Sequence, residues 1–488
     1  MNIAGNFLDT TGRQPDAPFL VAPDGTAYSY ARALSRARRF AGLLRERGVA
    51  AGDRVVLTFP NSVDYLCAYL GTLLSGGTAV LVDTRSRPAH LDYVRSNSEA
   101  VVWVTPDDRA DTAGIPDRLL FPDDLDALPE LPLEQVDLDA NPLALIMYTS
   151  GSTGVPKGVR LSHDNLQHTI RSVSHWAGIE ATDRELTTLS LTHLFGLAHI
   201  HIYWTLGGTV FIEEKLHDIP RLLQKLSDER ITSFPGTPAG FKLILDRYRD
   251  AFAEHGRHLK YIVVNSAPMA PEYIRQVLEL LPDTRFYMYY GLTEASRSSY
   301  ICYNDHPDKI ESVGRATPGA SVRVGTPEEP RVGEPGEILI RGPHVTEGYL
   351  GIDSAPYIED GWLKTGDLGE LDEAGFLTWK GRIKEQINID GLKLTPSEVE
   401  DVLHAHPRVR DCAVVGAPDE TTGESVLGVV VPEPGAEPDR KLEIDIRRFC
   451  KDRLEVYKIP KRIVFVDEIP RTDSGKTKRM QLKETHGS

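Results

Sequence analysis

Two long stretches of this 488-residue chain, residues 65–82 and 186–212, contain no Asp, Glu, Lys or Arg. Uncharged runs of that length belong either in a membrane or in a protein core. The first, YLCAYLGTLLSGGTAVLV, breaks at Ser75-Gly76-Gly77 between a helix-like half and a β-branched half. The second carries His193, His199 and His201 and a Gly207-Gly208 turn. Such punctuation interrupts a membrane span and suits short buried elements, so both stretches read as strand–helix–strand units. The rest of the chain repeats that alternation. β-rich runs at 54–59, 101–104 and 261–264 are interleaved with helical periodicity at 31–47, 220–230 and 271–281, the pattern of parallel sheets covered by helices.

Between 105 and 142 the sequence is rich in Pro and Asp and is expected to wrap the surface. After about residue 321 short strands with turn dipeptides take over, as in GEPGEILIRG and DEAGFLTWKGR, and a small antiparallel unit is expected. Beyond residue 384 come a hairpin around Asp390-Gly391, a helix from Pro396, strands near 412–415 and 426–431, a helix at 442–454 and a strand at 463–466. The helix at Pro396 has Thr395 placed as N-cap and Glu398 to complete a capping box. The fold class is therefore α/β: a large N-terminal body, residues 1–383, with several subdomains, parallel-type sheets and a small β unit, followed by an α+β C-terminal domain, residues 384–488.

Composition excludes several functions. With 55 Lys plus Arg against 71 Asp plus Glu the net charge is −16, which argues against a nucleic-acid partner held by broad phosphate neutralisation. Cys67, Cys302, Cys412 and Cys450 lie far apart and form no CxxC pair, so neither a zinc site nor a disulfide framework is indicated. The N-terminal MNIAGNFLDT lacks a charged segment followed by an apolar run. A cytoplasmic protein with no membrane span is expected.

Four segments carry chemistry. YTSGSTGVPKGV, residues 148–159, follows the apolar run 143–147, and a strand entering a Gly/Ser/Thr loop can surround phosphate oxygens with N–H groups and hydroxyls while Lys157 adds charge. It is not a Walker loop, because Lys157 stands between Pro156 and Gly158; a plain flexible loop is the alternative. YYGLTEAS, residues 289–296, offers an aromatic ring for a base, a Thr293 hydroxyl for a phosphate and, in Glu294, a hard oxygen ligand for Mg²⁺ or simply a surface charge. In residues 364–400, Asp367 can accept from both ribose hydroxyls and Arg382 supplies a fork of donors, or the two form an ion pair. PRTDSGKTKR, residues 470–479, puts Lys476 on a glycine-containing loop.

In this order the four segments resemble the signature set of the adenylate-forming superfamily, which comprises acyl-CoA synthetases, adenylation domains of peptide synthetases and luciferases. The resemblance covers nearly the whole chain. It implies a mobile C-terminal domain and a phosphate loop made of Thr149, Ser150, Ser152, Thr153 and Lys157. It further implies that Tyr290, with Gly291 beside it, stacks on adenine and that Ser266, Ala267 and Pro268 run along its other side. By the same resemblance Thr293 and Glu294 contact the α-phosphate and Mg²⁺, Asp367 and Arg382 hold the ribose, Lys384 is the hinge and Lys476 the catalytic lysine. The cofactors implied are ATP, Mg²⁺ and CoA or the phosphopantetheine of a carrier protein.

Substrate selection is expected in HLFGLAH, with His193, Phe195 and Gly196; in FPGT, with Phe234, Gly236 and Thr237; and in Asn265 to Ala267. Relatives that activate α-amino acids place an Asp after the Phe of the first segment, where this chain has Gly196. An acid without an α-amino group is favoured. His193 resembles the aromatic or His gate of acyl- and aryl-CoA ligases, whereas His199 and His201 read as core histidines. No His, Cys and carboxylate cluster with ligand spacing accompanies them, so a metal other than Mg²⁺ is not expected. The resemblance implies an acid–thiol ligase that forms an acyl-adenylate and then a CoA thioester. The alternatives are a stand-alone adenylation enzyme loading a separate acyl or peptidyl carrier protein, a nucleotide-binding relative without catalysis, and transfer to an amine.

Overall fold

Residues 65–82 become the helix Val63–Leu74 and the strand Thr78–Leu81. Ser62 caps the helix by accepting from Tyr65 N at 3.1 Å, and Gly76, at φ +86°, turns the chain out of it. Nearly every side chain of this helix is buried, as a helix apolar all round requires. It packs on the helix Tyr30–Glu46 so closely that a Cβ on Gly71 would stand 2.6 Å from the Ala37 carbonyl oxygen. Residues 186–212 likewise run from the strand Arg184–Thr187 through the helix Leu194–Leu206 to the strand Thr209–Ile212. No helix among the described residues is long and apolar enough to cross a membrane.

The protein is represented by a computed structural model that describes residues 2–106, 118–149, 156–419, 421–471 and 477–487. It contains two compact units. The first holds residues 1–265, 269–322 and 340–363, and the second holds 266–268, 323–339 and 364–488.

Two sheets dominate the first unit. One has six strands, in the order Arg118–Leu120, Val102–Thr105, Arg54–Leu57, Thr78–Leu81, Leu143–Thr149 and Lys157–Ser162, parallel except for the last pair. The other has nine, and its centre is a parallel series running through Arg285–Leu292, Tyr261–Val264, Ser233–Gly236, Arg184–Thr187, Thr209–Ile212 and Pro18–Val21. Antiparallel strands close its edges. Segment 105–142 is less superficial than its composition suggests. Leu119, Phe121, Leu125 and Leu131 are buried in the main core, anchoring the segment at irregular intervals that carry no periodic signal.

The expected antiparallel strands after residue 321 are present, with Trp362–Leu371 paired to Ile358–Glu359 and to Leu377–Arg382. In the second unit, Val409–Asp419 and Gly423–Pro432 form a long hairpin, joined by Arg462–Phe465 in parallel and by the small hairpin Ile387–Ile389/Leu392–Leu394. The helices Pro396–His404 and Arg440–Lys451 contribute Val399, Leu403, Leu442 and Ile446 to the core beneath. Thr395 N donates to Glu398 Oε1 at 2.9 Å, completing the capping box that starts the first of them.

Candidate active site

Three strands of the nine-stranded sheet lie in parallel register, with Gly236 opposite Val264 and Val264 opposite Met288. Their carboxyl ends therefore present FPGT, the residues after Val264, and YYGLTE along one edge, the position at which open parallel sheets bind ligands. The hairpin that continues from Arg285–Leu292 into Ala295–Cys302 sets Tyr290 opposite Ser299, and its register slips between Tyr290 and Leu292. Gly291 makes that slip possible: a Cβ there would lie 2.5 Å from Arg297 N and 2.8 Å from the Ala295 carbonyl oxygen. Tyr290 is buried, whereas Gly291, Thr293 and Glu294 are partly open.

The turn is held from outside by residues 343–349. Asn165 Nδ2 donates to the carbonyls of Pro343 and Val345, and Thr346 N donates to the Glu294 carbonyl at 2.8 Å. Tyr349 Oη then donates to Glu294 Oε1 at 3.1 Å. On the six-stranded sheet, the hairpin Leu143–Thr149/Lys157–Ser162 ends with Thr149 opposite Lys157, so both expected loop residues are pinned at its mouth. Ser150, Ser152 and Thr153 lie outside the described residues. Lys157 Nζ lies 3.7 Å from the centre of the Tyr357 ring and 5.0 Å from that of Tyr349. Among the described residues no carboxylate pairs with it.

A half-buried carboxylate and an ammonium free of carboxylates, set on two sides of one tyrosine, fit a polyphosphate carrying a divalent cation. The ammonium meets phosphate charge, and the carboxylate is a hard ligand of the kind Mg²⁺ takes singly, the rest of its shell coming from water and phosphate. Tyr349 was not identified from the sequence, where it is one aromatic residue in the segment TEGYLG.

The segments expected to select the acid lie at elements of the same sheet. The exposed His193 stands at the start of the helix Leu194–Leu206. Phe195 meets Tyr289 edge-on at 5.5 Å and His199 at 5.6 Å. Gly196 sits where a Cβ would be 2.6 Å from the Ser190 carbonyl oxygen. Phe234 is buried, Gly236 packs under the Phe241 ring, and Thr237 caps the helix Pro238–Arg247 through Gly240 N at 3.2 Å. Asn265 lies beside Tyr289.

His199 and His201 are core residues, as their setting suggested. His199 Nδ1 bonds to Glu185 Oε2 at 2.8 Å, and His201 Nε2 meets the Tyr69 hydroxyl at 3.0 Å. Burial pushes His201 down to about 3, with the Arg297 charge adding to the effect.

In the second unit Asp367 is opposite Arg382 on neighbouring strands and almost wholly buried. The ion pair anticipated as one alternative is present, with Arg382 Nε 2.7 Å from Asp367 Oδ1. Arg382 also donates to the Thr365 carbonyl at 3.2 Å. An ionised carboxylate accepts through both oxygens, so this pair is compatible with ribose contact. Ser266 is in the left-handed region at φ +87°, Ala267 is half-buried and Pro268 exposed. Lys384 is exposed in the short turn Ile383–Glu385, and Lys476 lies outside the described residues.

Comparison with known proteins adds an independent line. Residues 7–350 match the family described as AMP-binding enzyme, and residues 398–476 match the AMP-binding enzyme C-terminal domain. The chain is 32% identical over 472 residues to a feruloyl-CoA synthase of an Amycolatopsis species, covering 95% of each. It superposes with a TM-score of 0.90 on ATP-bound MatB from Rhodopseudomonas palustris, at 29% identity and covering 100% of this chain and 99% of that one. The corresponding score is 0.86 for the o-succinylbenzoate coenzyme A synthetase of Bacillus subtilis in complex with ATP and magnesium ion, at 26% identity and covering 98% and 99%.

Proposed function

The chain belongs to the AMP-binding enzyme family of the adenylate-forming superfamily, and on that premise we propose how its own residues carry out the reaction. It is an AMP-forming acid–CoA ligase: ATP activates a carboxylic acid as an acyl-adenylate, and the acyl group passes to CoA as a thioester.

An ionised carboxylate is already a nucleophile, so the first step needs no strong base. What opposes it is repulsion between the carboxylate and the triphosphate, and the site must cancel that charge at the attacking and leaving oxygens. Lys157, with Thr149, Ser150, Ser152 and Thr153, holds the departing pyrophosphate, and Thr293 contacts the α-phosphate. Glu294 is the protein ligand of Mg²⁺, which when bound neutralises phosphate charge. Tyr290 with Gly291 packs on adenine, Ser266, Ala267 and Pro268 line its other side, and Asp367 with Arg382 holds the ribose. Lys476 bridges the substrate carboxylate and the α-phosphate. The mixed anhydride that forms is open to hydrolysis, and the C-terminal domain, turning about Lys384, shields it before the thiol attacks.

His193 gates the acid-binding region, which Phe195, Gly196, Phe234, Gly236, Thr237, Asn265 and Ala267 shape for an acyl or aryl acid without an α-amino group. We place the reaction in the cytoplasm, where ATP and CoA are available. A pantetheine on a separate carrier protein offers the same thiol and is the second acceptor to test.

The observation that carries this reading is Glu294 and Lys157 arranged about Tyr349. ATP–pyrophosphate exchange with short, medium and long fatty acids, benzoic and cinnamic acids and amino acids tests the first step; thioester formation with CoA or a carrier protein tests the second. Lys476→Ala is expected to suppress exchange while retaining much of the transfer from a synthetic acyl-adenylate. Equal loss in both steps would remove the role given to Lys476, and absence of exchange with every acid would overturn the reading.

A further inference from the structure

Three residues beyond Glu294, the same hairpin buries a cation that its neighbours only partly satisfy. Arg297 is 1% exposed and is held in the left-handed region at φ +60°. A bulky side chain keeps such a backbone only where its surroundings over-determine it, and strain of this kind gathers at functional sites. Its Nη1 donates to Ser296 Oγ at 2.9 Å and its Nη2 to the Phe195 carbonyl at 3.2 Å, while the guanidinium carbon lies 4.7 Å from the centre of the Tyr289 ring. Nε has no partner among the described residues. A buried guanidinium with an unmet N–H is costly.

The available counter-charge does not cancel that cost. Glu185, also fully buried, favours the charged guanidinium from a distance, but its Oε2 is committed to His199 Nδ1 and Ser233 Oγ and no ion pair joins it to Arg297. Burial draws Arg297 below the ordinary guanidinium value. Glu185 therefore steadies the cation while Nε is left without an acceptor among the described residues. That guanidinium stands against the Phe195 carbonyl and the Tyr289 ring, in two of the elements expected to meet at the acid-selecting edge of the sheet.

We infer that Arg297 is a specificity-determining residue that receives a second oxygen acceptor of the acid substrate, a hydroxyl, carbonyl or carboxylate oxygen apart from the carboxylate that reacts. The inference rests on the ligase reading above and narrows its substrate class. A plain hydrocarbon acid leaves the buried donor unmet, and an α-ammonium group meets a like charge, in keeping with Gly196 after Phe195.

The test is ATP–pyrophosphate exchange with matched pairs: hexanoate against hexanedioate and 6-hydroxyhexanoate, octanoate against octanedioate, and cinnamate against 4-hydroxycinnamate. The wild type should favour the oxygen-bearing member of at least one pair by about 10- to 100-fold in kcat/KM. Arg297→Met should bring that ratio close to one, chiefly by raising KM for the oxygen-bearing acid and leaving KM for ATP unchanged; Arg297→Lys should keep part of the preference. Preference for the hydrocarbon member in every pair, or an unchanged ratio in a folded Arg297→Met enzyme, overturns the role of Arg297 and leaves the ligase standing. Arg297→Gln is the second neutral variant should the Met variant not fold, and the wild-type ratios alone decide if neither folds. Absence of exchange with any acid overturns the ligase reading and this inference with it.

Discussion

Tyr349 donates its hydroxyl to Glu294 Oε1 at 3.1 Å while its ring faces Lys157 Nζ at 5.0 Å. One side chain thereby spaces a carboxylate and an ammonium that reach it from different sheets, and Tyr357, edge-on to it at 5.1 Å, fixes the ring.

Tyr349→Phe keeps the ring and removes the donor. Adenylation, measured by ATP–pyrophosphate exchange, is expected to fall about 10-fold, the value of one hydrogen bond to a charged group. The Mg²⁺ concentration giving half the maximal rate should rise, because Glu294 is then less well oriented. An unchanged Mg²⁺ dependence would assign Tyr349 to packing alone.

Asp367 and Arg382 are tested with 2′-deoxy-ATP. If Asp367 accepts from the ribose, the wild type should use ATP better than its 2′-deoxy analogue by about 10-fold or more, and Asp367→Asn should lose most of that discrimination. If the pair only joins two strands, Asp367→Asn will lower the melting temperature and leave the ratio as it was.

Gly291→Ala places a Cβ 2.5 Å from Arg297 N, a backbone atom that cannot swing aside. Overpacking of this kind costs about 1–3 kcal/mol of stability. Exchange activity should fall about 100-fold, since Thr293 and Glu294 ride on the displaced turn and a shift near 1 Å is enough for that loss. Calorimetry and exchange read the two effects separately.

Acid stability depends on buried histidines. Burial holds His201 down to about 3 and His344 down to about 4, whereas an unfolded histidine titrates near 6.5. Below roughly 6.5 the unfolded chain takes up protons that the folded chain refuses, so stability falls as the pH drops from there towards 4, by about 1.4 kcal/mol per pH unit for each group. Denaturant unfolding between pH 7 and 4.5 measures the slope. His201→Gln should make it shallower, since one titrating group is removed.

Much of this was legible in the chain. The Gly-punctuated, charge-free stretches became buried elements, a helix and a strand in 65–82 and strand–helix–strand in 186–212, because burial on all sides is written directly into composition. The Thr395–Glu398 box could be read because its two partners are three residues apart. Thr149 and Lys157 were singled out for chemistry, and the strand register sets them opposite each other. Tyr349 escaped because its partner lies 55 residues earlier and nothing local marks the pairing. Arg297 escaped for another reason: an arginine in a polar run is ordinarily a surface charge, and nothing in the run marks this one as buried.

The hairpin at Gly291 ties two properties together. Residues 291–297 span its tip, with Gly291 packed against Arg297 N, and they carry Glu294 and, three residues on, Arg297. If Glu294 and Arg297 act as proposed, lineages drifting toward a new acid through this hairpin would carry their turnover along with their selectivity, and the two traits would be inherited as one. The helix Leu194–Leu206 approaches from another part of the chain and meets the hairpin at Phe195, whose carbonyl accepts from Arg297 Nη2; changes farther along it offer the freer route by which such an enzyme could diversify.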